Sequence, residues 1–206
     1  SERANSVYFP GHVVPMLPEV LSNGLCSLQE NQPRLTKSAF IRYDSEGNVL
    51  SQRVANTIIR STKRLTYRQA TEILDGKEDG FPPEVVALVR EAERLARRIQ
   101  ARRLRDGMLV LNLPEIELVF DENRNMTGVE PADTAFSHTI IEMFMVEANE
   151  AVARLFVNRG IPNLRRIHPD PDPASTESLK RYLSAVGLKT PAEVNRETLQ
   201  DILRAA

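Results

Sequence analysis

Three alternating polar side chains in the segment HPDPDP have the spacing of a metal site. His168, Asp170 and Asp172 are two residues apart, so an extended backbone would turn all three to one side. An imidazole and two carboxylates suit a hard or borderline divalent cation. The three prolines favour a simpler interpretation, because they make a stiff loop and leave Asp172 as an ordinary helix start. We therefore predict a loop here and no metal ligand.

Arginines are concentrated near the end of a predicted long helix. Their guanidinium groups could track phosphates, but cations also complement the negative end of a helix dipole. The sequence leaves both interpretations open. The six side chains are Arg94, Arg97, Arg98, Arg102, Arg103 and Arg105. Arg165 and Arg166 are fewer, but they lie beside His168 in a predicted loop, where binding residues are common.

A line of polar residues follows one side of a predicted third helix. His138, Glu142 and Asn149 stand at i, i+4 and i+11, while the apolar residues face elsewhere. A carboxylate on a mainly apolar helix requires a partner. Two interpretations stay open. The line is either a solvated surface stripe or the place where Glu142 accepts a hydrogen bond from a hydroxyl group of a ligand.

Composition excludes several classes of protein. The 206 residues carry 27 Lys and Arg against 28 Asp and Glu, so net charge gives no indication of nucleic acid. Three scattered histidines, one cysteine and no Gly-rich phosphate loop leave no clustered catalytic pattern. The single cysteine, Cys26, allows no intrachain disulfide and predicts a reducing, cytoplasmic compartment. No apolar run reaches the roughly 18 residues of a membrane span, so we expect no membrane partner.

Alternating strands and helices must position these side chains. Pro10 and Pro15 exclude a helix, so we predict extended backbone over residues 6–15. The segment LPEVLSNGL predicts a short helical turn from Pro18 to Gly24. The turn DSEGN lies between two strand-like segments and predicts a β-hairpin. The segments GMLVLNL and EIELVFDENRNMTGVEP predict two or three further strands.

Helix start and stop signals divide the rest of the chain. Thr66 with Gln69 predicts a capping box, and Gly76 ends that helix. Thr190 with Glu193 predicts a second capping box in TPAEVNRETLQDIL. The remaining predicted helices cover residues 83–105, 133 to about 158, and 173–186.

Four segments resemble the RNB catalytic domain of the ribonuclease II and ribonuclease R exoribonucleases, and the ribonuclease R branch is most similar. They are RANSVYFPGHVVPMLPEVLSNGLCSL, STKRLTYRQATEIL, IIEMFMVEANEAVARLF and LRRIHPDPDP, in the family's order and spacing. The resemblance implies an α/β fold, the central part of an RNB-type domain, with mixed sheet segments and several packed helices. It also implies that residues 1–206 form a single, partial RNB domain.

The resemblance implies an activity as well. The family hydrolyses single-stranded RNA processively from the 3′ end, with Mg²⁺, and releases nucleoside 5′-monophosphates. Its channel admits only single strands. This chain would then supply the RNA channel and the 3′-end clamp of such an exoribonuclease. The alternative is a non-catalytic RNA-binding or scaffold protein that retains the fold.

Individual residues follow from the matched motifs. Tyr8 in SVYFP matches the tyrosine that packs on the 3′-terminal nucleotide, and Tyr67 in RLTY matches a second channel tyrosine. Glu142 in IIEMFM matches a glutamate that contacts the terminal nucleotide. Leu111 stands where many relatives carry a clamping phenylalanine, which predicts a weaker clamp. The predicted RNA-binding set is completed by Arg165, Arg166 and His168.

Two motifs of the family do not occur in this sequence. One is the metal-binding D-x-x-x-x-x-D-x-D-D cluster that precedes SVYFP in the family, and the other is a later SPIRRY-like segment with an arginine at the scissile phosphate. Cleavage by a metal-activated water needs those carboxylates. We therefore expect a central piece of a longer domain, with its Mg²⁺ ligands outside the chain. We expect no catalytic residue within it and no activity of the isolated chain.

Overall fold

The computed structural model describes residues 4–9, 12–111, 113–114, 116–121, 123, 125–169 and 171–205. Within this part of the chain, strands pair as three separate antiparallel hairpins, and the helix Phe136–Asn158 packs against the central one. In chain order the elements are β1 (Val7–Phe9), β2 (His12–Val14), a π-helix (Val20–Leu25), β3 (Pro33–Tyr43), β4 (Val49–Arg60), α1 (Tyr67–Leu74), α2 (Pro83–Arg105), β5 (Ile116–Phe120), β6 (Met126–Pro131), α3 (Phe136–Asn158), α4 (Pro173–Ala185) and α5 (Arg196–Ala205). The predicted mixture of strands and helices is confirmed.

The central hairpin of β3 and β4 forms around the predicted turn. The Asp44 side chain accepts hydrogen bonds from the backbone N–H groups of Glu46 and Asn48, at 2.8 and 2.9 Å. Gly47 completes the turn at a φ of 85°, a left-handed conformation that glycine adopts without strain. Phe40 then lies opposite Arg53, whose guanidinium covers the ring at 3.8 Å. The predicted hairpin is thus confirmed.

The hairpin turn lies directly against helix α2. A Cβ atom added at Gly47 would stand 2.7 Å from the carbonyl oxygen of Arg98. The Gly47 carbonyl in turn accepts a hydrogen bond from Arg102 Nη1 at 3.1 Å. Glycine is therefore required here for two reasons, its positive φ and the space that a side chain would occupy.

Replacement of Gly47 should separate these two reasons. Gly76 is a matched control, because its φ is 89° and no atom lies within 4 Å of the position that a Cβ would take. We expect Gly47→Ala to lower the free energy of unfolding by about 1–3 kcal/mol more than Gly76→Ala, since only the first overpacks a backbone contact. Urea denaturation of both variants measures the difference. Equal losses would show that the turn moves away from α2 without cost.

The core forms where α2 crosses α3. It contains Ala96 and Ile99 from α2 and Ile140 and Met143 from α3, each at most 6 % exposed. The spacing of these residues places them on one face of each helix. Helix α1 packs against both, with Ile73 completely buried. No helix among the described residues is long and apolar enough to cross a membrane.

Several predicted helix boundaries are confirmed, those at the starts of α1 and α4 by their capping side chains. Helix α2 begins and ends at the predicted residues. At α1, Thr66 Oγ1 accepts from Gln69 N and Gln69 Oε1 accepts from Thr66 N, the predicted capping box. At α4, Asp172 accepts from the backbone N–H of Ser175 at 2.9 Å. These signals succeed because each depends on residues within one helical turn.

The helical turn near the start of the chain and the first residue of α3 differ from the predictions. The turn predicted from Pro18 to Gly24 is a π-helix that contains Gly24, because Cys26 N bonds back to Leu21 O at 2.8 Å. Helix α3 begins three residues later than predicted, at Phe136. The sequence predicts only extended backbone over residues 6–15; their described residues form β1 and β2, which pair as a hairpin.

The prediction of a strand at GMLVLNL is wrong, because its described residues, 107–111 and 113, form no strand. Asn112 lies outside the described residues. Gly107 adopts a φ of 94° and Met108 N bonds to Arg103 O at 2.8 Å, so this segment caps α2. Met108 then packs on the core instead of pairing in a sheet. The prediction of strands in the following segment is confirmed by β5 and β6.

The second predicted capping box is also wrong. Helix α5 begins at Arg196, and Asn195 and Thr198 cap it reciprocally, with Thr198 N donating to Asn195 Oδ1 at 3.0 Å. The hydroxyl of Thr190 instead bonds that of Ser184 at the end of α4. Asparagine is at least as good an N-cap as threonine, so N-cap preference is compatible with a start after Asn195.

Candidate functional site

Tyr67 and His138 form an aromatic stack between helices α1 and α3. Tyr67 is the first residue of α1 and His138 lies in the first turn of α3. Their ring centroids are 3.7 Å apart with an interplanar angle of 20°. Beside them, the hydroxyl groups of Thr71 and Ser137 lie 2.9 Å apart and join the two helices. We call Tyr67 and His138 the stacked pair.

Asp133 holds the histidine of the stacked pair. His138 Nε2 lies 3.2 Å from Asp133 Oδ2, and Asp133 Oδ1 accepts from the backbone N–H of Ala135 at 2.9 Å. The hydrogen bond from Ala135, followed by that from His138, holds the pKa of Asp133 below its ordinary value. The carboxylate is thus ionised and fixed before α3 begins.

Glu142 lies one helical turn beyond His138 on the same side of α3. Its side chain is exposed, and no hydrogen bond or ion pair engages it within the described part of the chain. This geometry fits both interpretations that the sequence leaves open. The carboxylate is solvated, and it is free to accept a hydrogen bond from a hydroxyl group.

Tyr8 and Leu111 both present large exposed apolar surfaces. Tyr8 lies in β1 opposite Val13 and is 76 % exposed. Leu111 lies in the irregular segment after α2 and is 64 % exposed. Among the described residues, no ring contact or hydrogen bond joins either of them to the stacked pair. Each is available for contact, and their predicted roles stay predictions.

The described residues of the segment before α4, 161–169, form no regular secondary structure and are exposed. Arg165, Arg166 and His168 all face solvent, with Arg165 Nε donating to Asn163 Oδ1 at 3.3 Å. Leu164 and Ile167 lie beside them and are also exposed. The three side chains therefore lie on an accessible loop, as predicted, and their contact with RNA stays a prediction.

Asp172, the last of the alternating residues of HPDPDP, is the N-cap of α4. Asp172 accepts hydrogen bonds from both the backbone N–H and the hydroxyl of Ser175, which confirms the predicted helix start. Asp170 lies outside the described residues. In the part of the chain that the structure describes, no three His, Cys, Asp or Glu side chains are grouped so that they could hold a metal ion. The described residues thus do not fit a Mg²⁺ site.

A buried ion network, missed by the sequence analysis, joins α2 to α3. The Glu147 side chain is 1 % exposed. Its carboxylate binds the guanidinium of Arg102 and accepts from Arg103 Nη1 at 2.9 Å and from the Tyr43 hydroxyl at 3.0 Å. Arg103 also binds Glu150 at 2.8 Å. Glu147 lies on the apolar stripe of α3 four residues after Met143, and that position was the available signal.

Most of the clustered arginines have partners within the chain. Arg94 pairs with Glu91, Arg97 with Glu93, and Arg105 donates to the Glu46 carbonyl. Together with the Glu147 network, these contacts favour a structural role over phosphate binding for this end of α2. The sequence alone leaves both interpretations open.

The network shifts the acidities of its members. Burial alone would raise the pKa of Glu147, but the hydrogen bond and positive charge of Arg102, aided by Tyr43 and Arg103, lower it below the ordinary value. Burial, reinforced by the negative charge of Glu147, raises the pKa of Tyr43. The carboxylate of Glu147 therefore stays ionised and the phenol of Tyr43 stays protonated, so that the phenol can donate its hydrogen bond to the carboxylate.

Comparison with known proteins places this geometry in context. The family model of the RNB domain matches residues 1–206 of this chain. Ribonuclease R of Thermotoga maritima is 37% identical over 193 residues, which cover 91% of this chain and 27% of that protein. The chain thus spans less than a third of the length of curated relatives such as the ribonuclease R proteins of Thermotoga maritima and Aquifex aeolicus.

Solved structures give the same result. Mycoplasma genitalium RNase R in complex with double-stranded RNA matches with a TM-score of 0.87 at 34% identity, over 96% of this chain and 36% of that one. The same enzyme in complex with ribose-methylated single-stranded RNA matches with a TM-score of 0.86 at 33% identity, over 94% and 30%. These matches confirm the resemblance and the fold class that the sequence predicts.

Proposed function

Because this chain belongs to the RNB domain family, we propose that it forms part of a 3′→5′ exoribonuclease that hydrolyses single-stranded RNA processively to nucleoside 5′-monophosphates. The chain supplies a wall of the RNA channel and contacts to the 3′ end. Mg²⁺ and its carboxylate ligands belong to other parts of a longer protein. The single cysteine supports a reducing compartment, and we place the protein in the cytoplasm.

The stacked pair is the observation that carries this proposal. Tyr67 is 44 % exposed although its ring also stacks on His138, so it keeps surface available to a base. Stacking on an aromatic side chain suits a nuclease that must accept any sequence, because every base has a π-face. Glu142, one turn along α3, offers an unengaged acceptor to a ribose hydroxyl group.

The exposed loop before α4 adds the electrostatic part of the site. Arg165 and Arg166 are accessible cations that contact phosphates, whereas Tyr8 and Leu111 contribute apolar surface to the last nucleotide. The net charge of −1 does not oppose this, because binding depends on where the cations lie and not on their sum.

An RNA-binding assay on the 206-residue chain tests the proposal. We expect fluorescence anisotropy to show binding of a linear oligoadenylate that is stronger than binding of a circular RNA of the same composition, because only the linear RNA has a 3′ end. Tyr67→Ala should weaken linear binding by about 1–3 kcal/mol. With Mg²⁺ present, we expect no nucleoside monophosphate to be released.

Each arm of this assay has a result that would contradict the proposal. Equal affinity for linear and circular RNA would favour the alternative, an RNA-binding scaffold without a 3′-end site. An unchanged affinity of Tyr67→Ala would remove Tyr67 from the channel wall. Release of monophosphates above a buffer control would mean that residues of this chain suffice for catalysis.

A further inference from the structure

We propose that His138 is a positioning residue for RNA: it fixes the ring of Tyr67 in the orientation that accepts a base, and Asp133 fixes His138. This inference rests on the proposed function, because Tyr67 must contact RNA for its orientation to matter. It adds a chain of three side chains, Asp133, His138 and Tyr67, which acts on RNA through the last of them.

Tyr67 has few other restraints on its ring. It is the first residue of α1, where a side chain has no preceding helical turn to pack against. Within the described part of the chain, its hydroxyl group has no hydrogen-bond partner and its one ring contact is with His138 at 3.7 Å. Without that contact, the half-exposed ring would sample several rotamers.

His138, in contrast, is held from several directions. Its ring nitrogen Nε2 lies 3.2 Å from Asp133 Oδ2, and its backbone N–H bonds Ala135 O at 3.0 Å. The adjacent Ser137 is bonded to Thr71 of α1. A ring nitrogen bonded to a fixed carboxylate sets the orientation of the whole imidazole. The histidine is therefore the rigid member of the stack.

The arrangement leaves one side of Tyr67 for a ligand. Since His138 covers one face of the phenol ring, a base must stack on the other face. A ring that is already oriented loses less conformational entropy when the base binds. Loss of His138 should thus weaken binding even though the imidazole does not itself touch the RNA.

A double-mutant cycle on the 206-residue chain tests this inference. The affinity for a 5′-fluorescein-labelled oligoadenylate is measured for the native chain, His138→Ala, Tyr67→Ala and the double variant. We expect His138→Ala to weaken binding about 2- to 10-fold in the native chain, the range typical of one aromatic pair. In the Tyr67→Ala chain the same change should have no effect. His138→Phe, which keeps a stacking face, should restore most of the affinity.

The cycle separates the possible failures. Equal weakening by His138→Ala with and without Tyr67 would mean that the imidazole acts on RNA or on the fold directly, and it would overturn the inference. No effect of His138→Ala, together with a clear effect of Tyr67→Ala, would overturn the inference and leave the proposed function standing. No effect of Tyr67→Ala would overturn the inference and would also remove Tyr67 from the proposed channel wall.

A second variant guards against loss of folding. Asp133→Asn lies before α3 and alters an exposed side chain, so it should leave the thermal unfolding midpoint close to the native value. It should still weaken RNA binding, less than His138→Ala does, and only when Tyr67 is present. An unchanged affinity of Asp133→Asn alongside a weakened, folded His138→Ala would remove Asp133 from the chain of positioning residues and overturn that part of the inference.

Discussion

Glu147→Ala is expected to lower the free energy of unfolding by about 3–5 kcal/mol, because it leaves the charge of a buried arginine without its buried partner. The Arg102 side chain is 10 % exposed, and Glu147 is the buried carboxylate that it binds. The substitution also removes the acceptor of the Tyr43 hydroxyl group. Urea denaturation at neutral pH measures the loss.

Glu142→Ala is the matched control for this prediction. It removes the same type of side chain from the same helix, five residues earlier, but from an exposed position. Exposed substitutions of this kind usually stay within about 0.5 kcal/mol. Similar losses in both variants would show that the effect comes from helix α3 in general and not from the buried network.

The contribution of Glu147 to the free energy of unfolding should decrease at acidic pH. Burial would raise the pKa of Glu147, but the hydrogen bond and charge of Arg102 hold that pKa in the folded chain below its ordinary value of 4.5. The folded state thus binds this proton less readily than the unfolded state, and the resulting stability is present above pH 4.5 and is lost as the pH falls through the folded pKa. The difference in stability between the native chain and Glu147→Gln should accordingly shrink below pH 4.5. A constant difference down to pH 3 would contradict the assigned charge.

The network illustrates what the sequence could and could not predict. Helix α2, the hairpin of β3 and β4, and the capping box at Thr66 were predicted correctly, since each depends on neighbouring residues. Glu147 bonds to Tyr43, 104 positions away, and to Arg102, 45 positions away. No local pattern contains such pairs. The sequence instead selects Glu142, through its helix position and its matched motif, and this side chain is exposed.

The candidate site divides in the same way. Resemblance to matched motifs selects Tyr8, Tyr67 and Glu142, and helix position selects His138. Neither signal indicates that Tyr67 and His138 stack, because α1 and α3 meet only after the chain folds. The π-helix at Val20–Leu25 was missed for another reason: its sequence suits a helical turn, and only the hydrogen-bond pattern distinguishes the two.

In a full-length enzyme that contains this chain, Tyr8→Ala should weaken binding of short RNA ends by about 1–3 kcal/mol, roughly 5- to 150-fold. Leu111 has an apolar side chain without a stacking face. In the proposed clamp we therefore expect Tyr8 to make the larger contribution to binding of the last base. Long substrates, held by phosphate contacts along the channel, should be affected less. The change should appear as longer final products from a uniform oligonucleotide, since the shortest fragments depend most on the clamp.

Two further variants determine whether this effect belongs to a clamp. Leu111→Phe supplies the missing stacking face and should tighten binding of short ends, which gives shorter final products. Tyr182→Ala removes a tyrosine of matched exposure, 74 % against 76 % for Tyr8, from helix α4 and should leave product length unchanged. Because stacking does not depend on the edges of the base, the effect of Tyr8→Ala should be nearly the same for all four bases. If the native enzyme, Tyr8→Ala and Leu111→Phe all stop at one length, then Tyr8 only packs in the channel wall, and the role assigned to it by resemblance is wrong.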